Sequence, residues 1–488
     1  MSLGGAAGYD WQLAIPEIVL SVAGLLILTV GVLRKEREPG FGCTVAAIAA
    51  FVVTGVLVAI GPDGIGYRGT FVADGFATFT KILCLAGAAL AAILALGYNR
   101  QQKLDRFEFP VLLLFSTVGI MLMASSENLM TLYVGLELSS LAIYIMCAFA
   151  RDEVRSSEAG LKYFVLGSLA SGLLLYGLSL VYGFGGSMEY GPLRAALLGG
   201  ASDGAGATVA PGLVIGIVFV FVGLAFKLSA APFHMWTPDV YQGAPTSVTA
   251  FMAGAPKIAA FALLLRIMAG PFGHLAPQWQ LLVELVSICT MILGSLAALP
   301  QLNIKRLMAY SSIGHMGYAM MGLAAGTAEG VRGTLVYLAT YLFMSIGTFA
   351  CIVAMRRNGR PVDRVADLAG LGRSNPVMAT CMAVFMFGMA GVPPLSGFFG
   401  KLFVFLAAVQ AGLWTLAVIG VLTSAVGLYY YWRVVRAMWL EDAAVSLDRP
   451  ERSVLWLTGA MGAVTALFLL VLGPVTGAAQ AAAAALFH

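Results

Sequence analysis

The chain has 488 residues, 60% of them hydrophobic and 11% charged, less than half the charge of an ordinary soluble domain, and a mean hydropathy of +0.90 that assigns most of it to lipid. Its net charge of +4 comes from basic residues distributed by topology, so it gives no ground for expecting nucleic acid as a partner. The six cysteines form no CxxC pair, which argues against disulfides, zinc and iron–sulfur ligation and leaves them as small buried hydrophobes.

In chain order, the apolar runs predict an all-α polytopic membrane protein of about fourteen transmembrane helices. They fall at residues 13–33, 42–61, 74–98, 108–124, 127–150, 158–183, 211–231, 245–269, 278–299, 305–325, 332–355, 376–392, 412–436 and 453–474. The run from Phe398 to Gln410 reads as the second half of span twelve. The N-terminus lacks the basic start of a cleaved signal peptide, so the first run is expected to stay as an anchor. No soluble domain of useful size is left between the spans, and residues 1–488 form a single membrane domain.

Charge orients the spans. With the N-terminus outside, nineteen Lys and Arg residues fall in inside loops and three (Arg68, Arg194, Arg332) fall outside. The inside set begins with Arg34, Lys35 and Arg37, continues through Arg100, Lys103, Arg106, Arg151 and Arg155, and includes Lys305 and Arg306. A miscounted helix would invert the later loops. Both termini are therefore expected on the outer side.

Two spans carry backbone breaks beside a lysine. Span seven reads Lys227-Leu-Ser229-Ala-Ala-Pro232-Phe-His234, and span twelve reads Gly391-Val-Pro393-Pro394-Leu-Ser396 before Lys401. Span eight has Pro256 immediately before Lys257. Proline removes a backbone donor, and in lipid the freed groups need partners in protein or trapped water. Broken helices in corresponding positions of two halves are a device of ion-coupled transporters. The five-helix offset between the breaks predicts an inverted repeat of spans 4–8 (residues 107–270) and 9–13 (residues 278–440), flanked by 1–100 and 450–488.

Ionisable residues inside hydrocarbon cost several kcal/mol and mark an ion or proton path by default. Glu137, Lys227, Lys257 and Lys401 occupy such positions, with Lys162 nearer a helix start. Burial disfavours a lysine's charged form and a nearby carboxylate restores it. Glu137 is accordingly expected to pair with Lys227 across a helix interface, with Lys257 the next station and Lys401 the last. His234 and His315 could bridge them through water, since imidazole titrates near neutrality. Glu284, Lys81 and Arg266 lie near span ends and are expected to snorkel to the surface.

The segments Gly135-Leu-Glu137-Leu, Lys162-Tyr-Phe-Val-Leu-Gly167-Ser, the run from Lys227 to Thr246 and Asn303-Ile-Lys305 through His315 resemble the antiporter-like membrane subunits of respiratory complex I. Within that family, Tyr241-Gln-Gly-Ala-Pro245 and lysine at position 401 resemble the N type more than the M type, and the absence of a long lateral helix argues against the L type. The resemblance implies a proton-pumping module in the bacterial cytoplasmic (inner) membrane. Its partners would be the other membrane and peripheral subunits and the lipid bilayer. NADH, FMN, iron–sulfur clusters and quinone (ubiquinone among them) would be held by those partner subunits, with none in this chain. Glu137, Lys227, Lys257 and Lys401 match the family's proton-path positions, and Lys162, His234 and His315 its accessory ones. Rival readings are a subunit of a multi-subunit Na+/H+ antiporter or membrane-bound hydrogenase, a stand-alone solute transporter and a structural anchor. The scarcity of Asn, Gln and Asp within the spans disfavours the transporter, and the buried lysines disfavour the anchor.

Overall fold

The computed structural model describes residues 10–33, 40–199, 210–442 and 447–487; the expected inside residues Arg34, Lys35 and Arg37 lie outside them. Twenty helices follow in order among the described residues. They are α1 (Ile15–Leu33), α2 (Gly40–Ile60), α3 (Gly75–Gln101), α4 (Glu108–Ala124), α5 (Leu129–Cys147), α6 (Val154–Gly185) and α7 (Tyr190–Gly199). Then come α8 (Pro211–Leu228), α9 (Thr237–Gly243), α10 (Thr246–Ala253), α11 (Ala255–Ala269), α12 (Ala276–Ala298), α13 (Ile304–Ala324) and α14 (Ala328–Ala354). The chain closes with α15 (Leu371–Ser374), α16 (Pro376–Ala390), α17 (Ser396–Gln410), α18 (Trp414–Leu440), α19 (Arg452–Ala466) and α20 (Phe468–Ala484). Two short hairpins, β1–β2 (Gly64–Gly66 with Phe71–Ala73) and β3–β4 (Arg356–Arg357 with Arg360–Pro361), sit in loops.

Ten of the described helices or joined helices are long and apolar enough to cross a membrane, and an eleventh arises if α19 and α20 are one span. The expected fourteen is not reached on that basis. α4, α16 and α17 are apolar but short, and α13, which carries Ser311, Ser312 and His315, is less apolar. The expected span at 453–474 is instead α19 and α20, bent by 75° at Leu467. Helix α7 was not anticipated.

The breaks appear where proline and glycine suggested. Helix α8 stops at Leu228, with Ser229 in the left-handed region (φ +63), and α16 stops at Ala390 before Gly391 (φ +88). The expected single helix at 245–269 is interrupted at Gly254, where α10 and α11 meet, with Pro256 and Lys257 in the first turn of α11. Freed backbone groups are recaptured locally: Ala231 N donates to Thr290 Oγ1 (2.9 Å), and Trp236 Nε1 donates to the Phe226 carbonyl (3.0 Å).

The α10–α11 unit and α14 are each 94% enclosed and form the middle of the protein. In contrast, α1, α2, α6 and α18 turn apolar side chains such as Leu26, Val52, Leu169 and Leu422 outward, as lipid-facing helices must. Lipid offers no hydrophobic drive between helices, so close approach depends on small residues. A Cβ on Gly119 would strike the α5 backbone at Ser139, and one on Gly294 would strike α13 at Gly314. Loops carrying most of the basic residues gather on one side, where Asn303 bridges Arg364, Arg433 donates to the Leu299 and Gln301 carbonyls, and Asp448 caps β3–β4 through Asn358 and Gly359. We call this the basic face.

Candidate functional site

The predicted residues lie between α5 and α18. Lys227, in the last turn of α8, donates to Ser140 Oγ (2.8 Å) and Tyr144 OH (3.0 Å), both on α5. Lys257, near the start of α11 and 1% exposed, donates to Ser312 Oγ (2.6 Å) on α13. Lys401, on α17 just past the second break, donates to the Ala390 carbonyl (2.9 Å) and Ser424 Oγ (2.7 Å). Among the described residues, no carboxylate oxygen approaches any of the three within 4.0 Å. Three buried amines held only by neutral acceptors are costly as fixed charges, and a group in that position can take and release a proton without breaking an ion pair.

Between Lys257 and Lys401 lie two hydrogen-bonded polar sets, brought together by ring contacts. Ser312 meets Tyr341 OH (2.6 Å), and His315, one turn along α13, has Nδ1 at 2.6 Å from Tyr337 OH and Nε2 at 3.0 Å from Tyr431 OH. Tyr431 OH continues to Ser311 Oγ (2.5 Å). The Tyr341 and Tyr318 rings flank His315 with centroids at 5.1 and 6.2 Å, and Lys401 Nζ stands 4.8 Å from the Tyr318 ring. Between Lys227 and Lys257 the filling is aromatic instead. Tyr144 packs on Tyr163 (4.7 Å), Tyr163 stacks on Trp236 (4.1 Å), Trp236 meets Tyr241 (6.5 Å), and Lys257 Nζ lies 5.3 Å from the Tyr241 ring.

Several expectations need correction. Glu137 does not pair with Lys227: its carboxylate accepts a hydrogen bond from Ser171 on α6, and the hydroxyls of Ser140 and Tyr144 take the lysine. Ser140 is one turn beyond Glu137 on the same helix, so α5 places a hydroxyl where a carboxylate was anticipated. Lys162 is not deep in lipid. Helix α6 begins at Val154, and Lys162 lies half-exposed, bridging Glu158 (2.7 Å) and Asp239 (2.8 Å), which also holds Arg306 (2.6 Å). His234 lies half-buried in the first break, with Nδ1 unpartnered and no hydrogen bond to a lysine. His315, by contrast, is buried and sits at the centre of the polar row.

Lys81 and Arg266 do not snorkel either. Lys81 is buried against Glu17 (2.7 Å), and Arg266 engages Asp74 with both terminal nitrogens (2.9 Å each) and lies 3.7 Å from Glu127. Burial pushes the Glu127 carboxyl up from its ordinary value and Asp74 adds to this, with Arg266 offsetting. Lys305, expected in a loop, is buried at the start of α13 and donates to the Ala244 carbonyl (2.7 Å).

Glu17, Lys305 and the hydroxyls of Ser140, Tyr144, Ser312, Tyr337, Tyr341 and Tyr431 were missed. A usable signal existed for some: Tyr337 and Tyr341 stand four apart in an apolar helix, as Ser311 and His315 do, which puts each pair on one face. Glycine also shapes the site, because a Cβ on Gly167 would collide with the Tyr144 hydroxyl. The described residues contain no group of three or more His, Cys, Asp or Glu that could hold a metal ion.

Residues 126–427, which contain Lys227, Lys257, Lys401 and His315, match the family described as NADH:quinone oxidoreductase/Mrp antiporter, TM. A Gluconacetobacter diazotrophicus protein named NADH-quinone oxidoreductase subunit N is 66% identical over 479 residues, covering 98% of this chain and 100% of that protein. A chain of respiratory complex I from Thermus thermophilus, solved with bound aureothin, superposes with a TM-score of 0.80 at 32% identity, covering 96% of this chain and 100% of that one. A chain of the Mrp complex from a Dietzia species shares the fold alone, with a TM-score of 0.79 at 23% identity over 98% of this chain and 96% of its own. With two lysines beside helix breaks, a third at the head of α11 and a buried histidine between them, the chain belongs to the NADH-quinone oxidoreductase subunit N family of antiporter-like membrane subunits.

Proposed function

We propose that this chain is the subunit of an NADH–quinone oxidoreductase through which protons cross the bacterial cytoplasmic membrane, from cytoplasm to periplasm. The observation that carries the reading is the set of three buried lysines, each held by hydroxyls or a carbonyl and, among the described residues, none by a carboxylate. Lys227 takes a proton on the cytoplasmic side near the first break, with Glu137 one and two turns from its acceptors Ser140 and Tyr144 on α5. Lys257 and the row Ser312–Tyr341–His315–Tyr318 carry charge toward Lys401, which releases it near the second break. Lys162 and His234 are accessory, one at the basic face and the other in the first break. NADH, FMN, iron–sulfur clusters and quinone belong to partner subunits, whose redox chemistry supplies the driving energy.

The basic face is cytoplasmic in this reading and both termini are periplasmic. Counting α4, α13 and the α16–α17 pair as crossings brings the spans to fourteen. Two inverted repeats, α4 to α11 and α12 to α18, are supported by matched features: a glycine contact in the opening helix pair of each, Gly119 on α5 and Gly294 on α13, and a broken helix beside a lysine in each. The test is Lys227→Ala. The variant complex is expected to assemble while proton pumping and NADH–quinone turnover fall strongly. Wild-type pumping with assembly verified would exclude Lys227 from the path.

A further inference from the structure

We infer that a cleft at the basic face between α1, α4, α5 and α6 is a binding site for one anionic phospholipid, with an acyl chain along the groove and the phosphate in an adjoining basic cavity. The groove is about 690 Å³ and its walls are Leu28, Val111, Leu112, Ile145, Leu161 and Phe164. On α6 its lining runs from Gly160 to Phe164, and Phe164 lies ten residues beyond Val154, a depth of about 15 Å from the helix start at the helical rise. That is about half the hydrocarbon thickness, the depth available to a chain from a single leaflet.

The groove adjoins a second cavity, of about 420 Å³, with Phe149 and Arg151 lining both. The second cavity has a different character. Lys103, Arg106, Arg151 and Arg155 line it together with Lys305, against Asp152, Glu153 and Asp363; with Glu108 of the groove counted, the two cavities together carry an excess of one positive charge. Lys305 is 7% exposed, its ammonium donates to one neutral carbonyl, and no carboxylate oxygen among the described residues lies within 4.0 Å. A buried ammonium with donors to spare, set beside guanidinium groups, calls for an anion with several acceptor oxygens. A free phosphate would leave the groove unfilled. A neutral lipid would fill the groove and leave the excess charge unmet. A diacyl lipid with an anionic headgroup satisfies both halves, and basic clusters at the ends of membrane helices recognise such headgroups.

The site also touches the interior, since Tyr144, which holds Lys227 on its hydroxyl, forms part of the groove wall. A seated acyl chain would keep that wall dry. The inference rests on membership of a membrane-spanning family and not on the proton relay, so a relay refuted at Lys227 leaves it standing.

The test is photo-crosslinking in native membranes that hold the assembled complex, with phosphatidylglycerol or phosphatidylcholine carrying a diazirine on the acyl chain and labelled peptides identified by mass spectrometry. Phosphatidylglycerol is expected to label the stretches at 108–112, 144–149 and 160–164 several-fold more than phosphatidylcholine does. Arg151→Gln combined with Lys103→Gln should abolish that preference. Ile145→Trp, a change at a half-exposed apolar position, should fill the groove and lower labelling by both lipids. Equal labelling by the two lipids would make the groove ordinary annulus, and no labelling would mean that protein covers it. Persistence of the preference in the double Gln variant, with labelling of Ile145→Trp undiminished, would put the lipid elsewhere. Each of these three results overturns the proposal.

Discussion

Lys257 and Lys81 are both buried lysines, and the structure predicts opposite consequences for removing them. Lys257 is 1% exposed, with no carboxylate within 4.0 Å among the described residues, and its hydrogen-bond partner Ser312 keeps Tyr341 OH at 2.6 Å. Lys257→Met preserves the apolar volume of the stem and removes a charge that nothing neutralises. The loss of one hydrogen bond is set against the relief of burying an ammonium, so the net change in stability should stay within about 1.5 kcal/mol. Lys81→Met instead strands the Glu17 carboxylate, 4% exposed and 2.7 Å from the lysine nitrogen in the present structure. Breaking a buried pair by removing one member costs roughly 3–5 kcal/mol, a large part of a domain's total stability. Lys257→Met should therefore give normal amounts of assembled complex on native gels, with NADH-driven proton uptake into inverted vesicles nearly abolished. Lys81→Met should deplete the assembled complex, and adding Glu17→Leu should restore it. Should Lys257→Met lose assembly as Lys81→Met does, or pump like the wild type, the distinction between relay and structural lysines is wrong.

Two further outcomes follow from contacts described above. Gly167→Ala places a methyl group against the Tyr144 hydroxyl, so Tyr144 must withdraw from Lys227; the loss of a hydrogen bond to a charged donor, about 1.5–3 kcal/mol, should slow pumping roughly tenfold or more, and unchanged pumping would show that the contact is dispensable. Glu127 has its carboxyl raised above the ordinary 4.5, so the folded state binds this proton more tightly than the unfolded chain and stability falls as pH rises from 4.5 through the raised value. Glu127→Gln should flatten that decline and raise the thermal midpoint at neutral pH, and a pH slope identical to the wild type would refute the assignment.

The positions of Lys227, Lys257 and Lys401 could be read from sequence because a lysine in a long apolar run has few structural excuses, and the breaks beside them because Pro232, Pro393 and Pro394 cannot continue a helix. What those lysines touch was hidden. Glu137 and Lys227 are matched in charge and lie ninety residues apart, but which α5 side chain reaches the α8 terminus depends on the rotation of two helices, and that favoured Ser140 and Tyr144. Lys305 reads as a loop residue in sequence because Arg306, Asn303 and Gln301 around it have the composition of a loop, whereas Asn303 caps α13 by accepting from Arg306 N and the helix draws Lys305 inward. Lys81 was assigned to the surface because it lies near a span end; its partner Glu17 is two helices earlier, beyond the reach of any local pattern. The tyrosine row escaped notice for a related reason. Tyrosine is ordinary in membrane helices, and only convergence of α13, α14 and α18 on one imidazole gives these hydroxyls a role.

The end of α16 is built to outlast a change in its own lysine. The Ala390 carbonyl, left without an intrahelical donor by the break, receives Lys401 Nζ at 2.9 Å and Ser424 Oγ at 3.4 Å. If the amine swings away with its cargo, the serine is already in attendance and the carbonyl is not abandoned in hydrocarbon. At the other break the Phe226 carbonyl is tied to the Trp236 indole, which never titrates, so Lys227 can come and go without disturbing its own mooring. On the proposed relay, both kinks would keep their shape by understudy or by independence while the two lysines moved on a rigid frame.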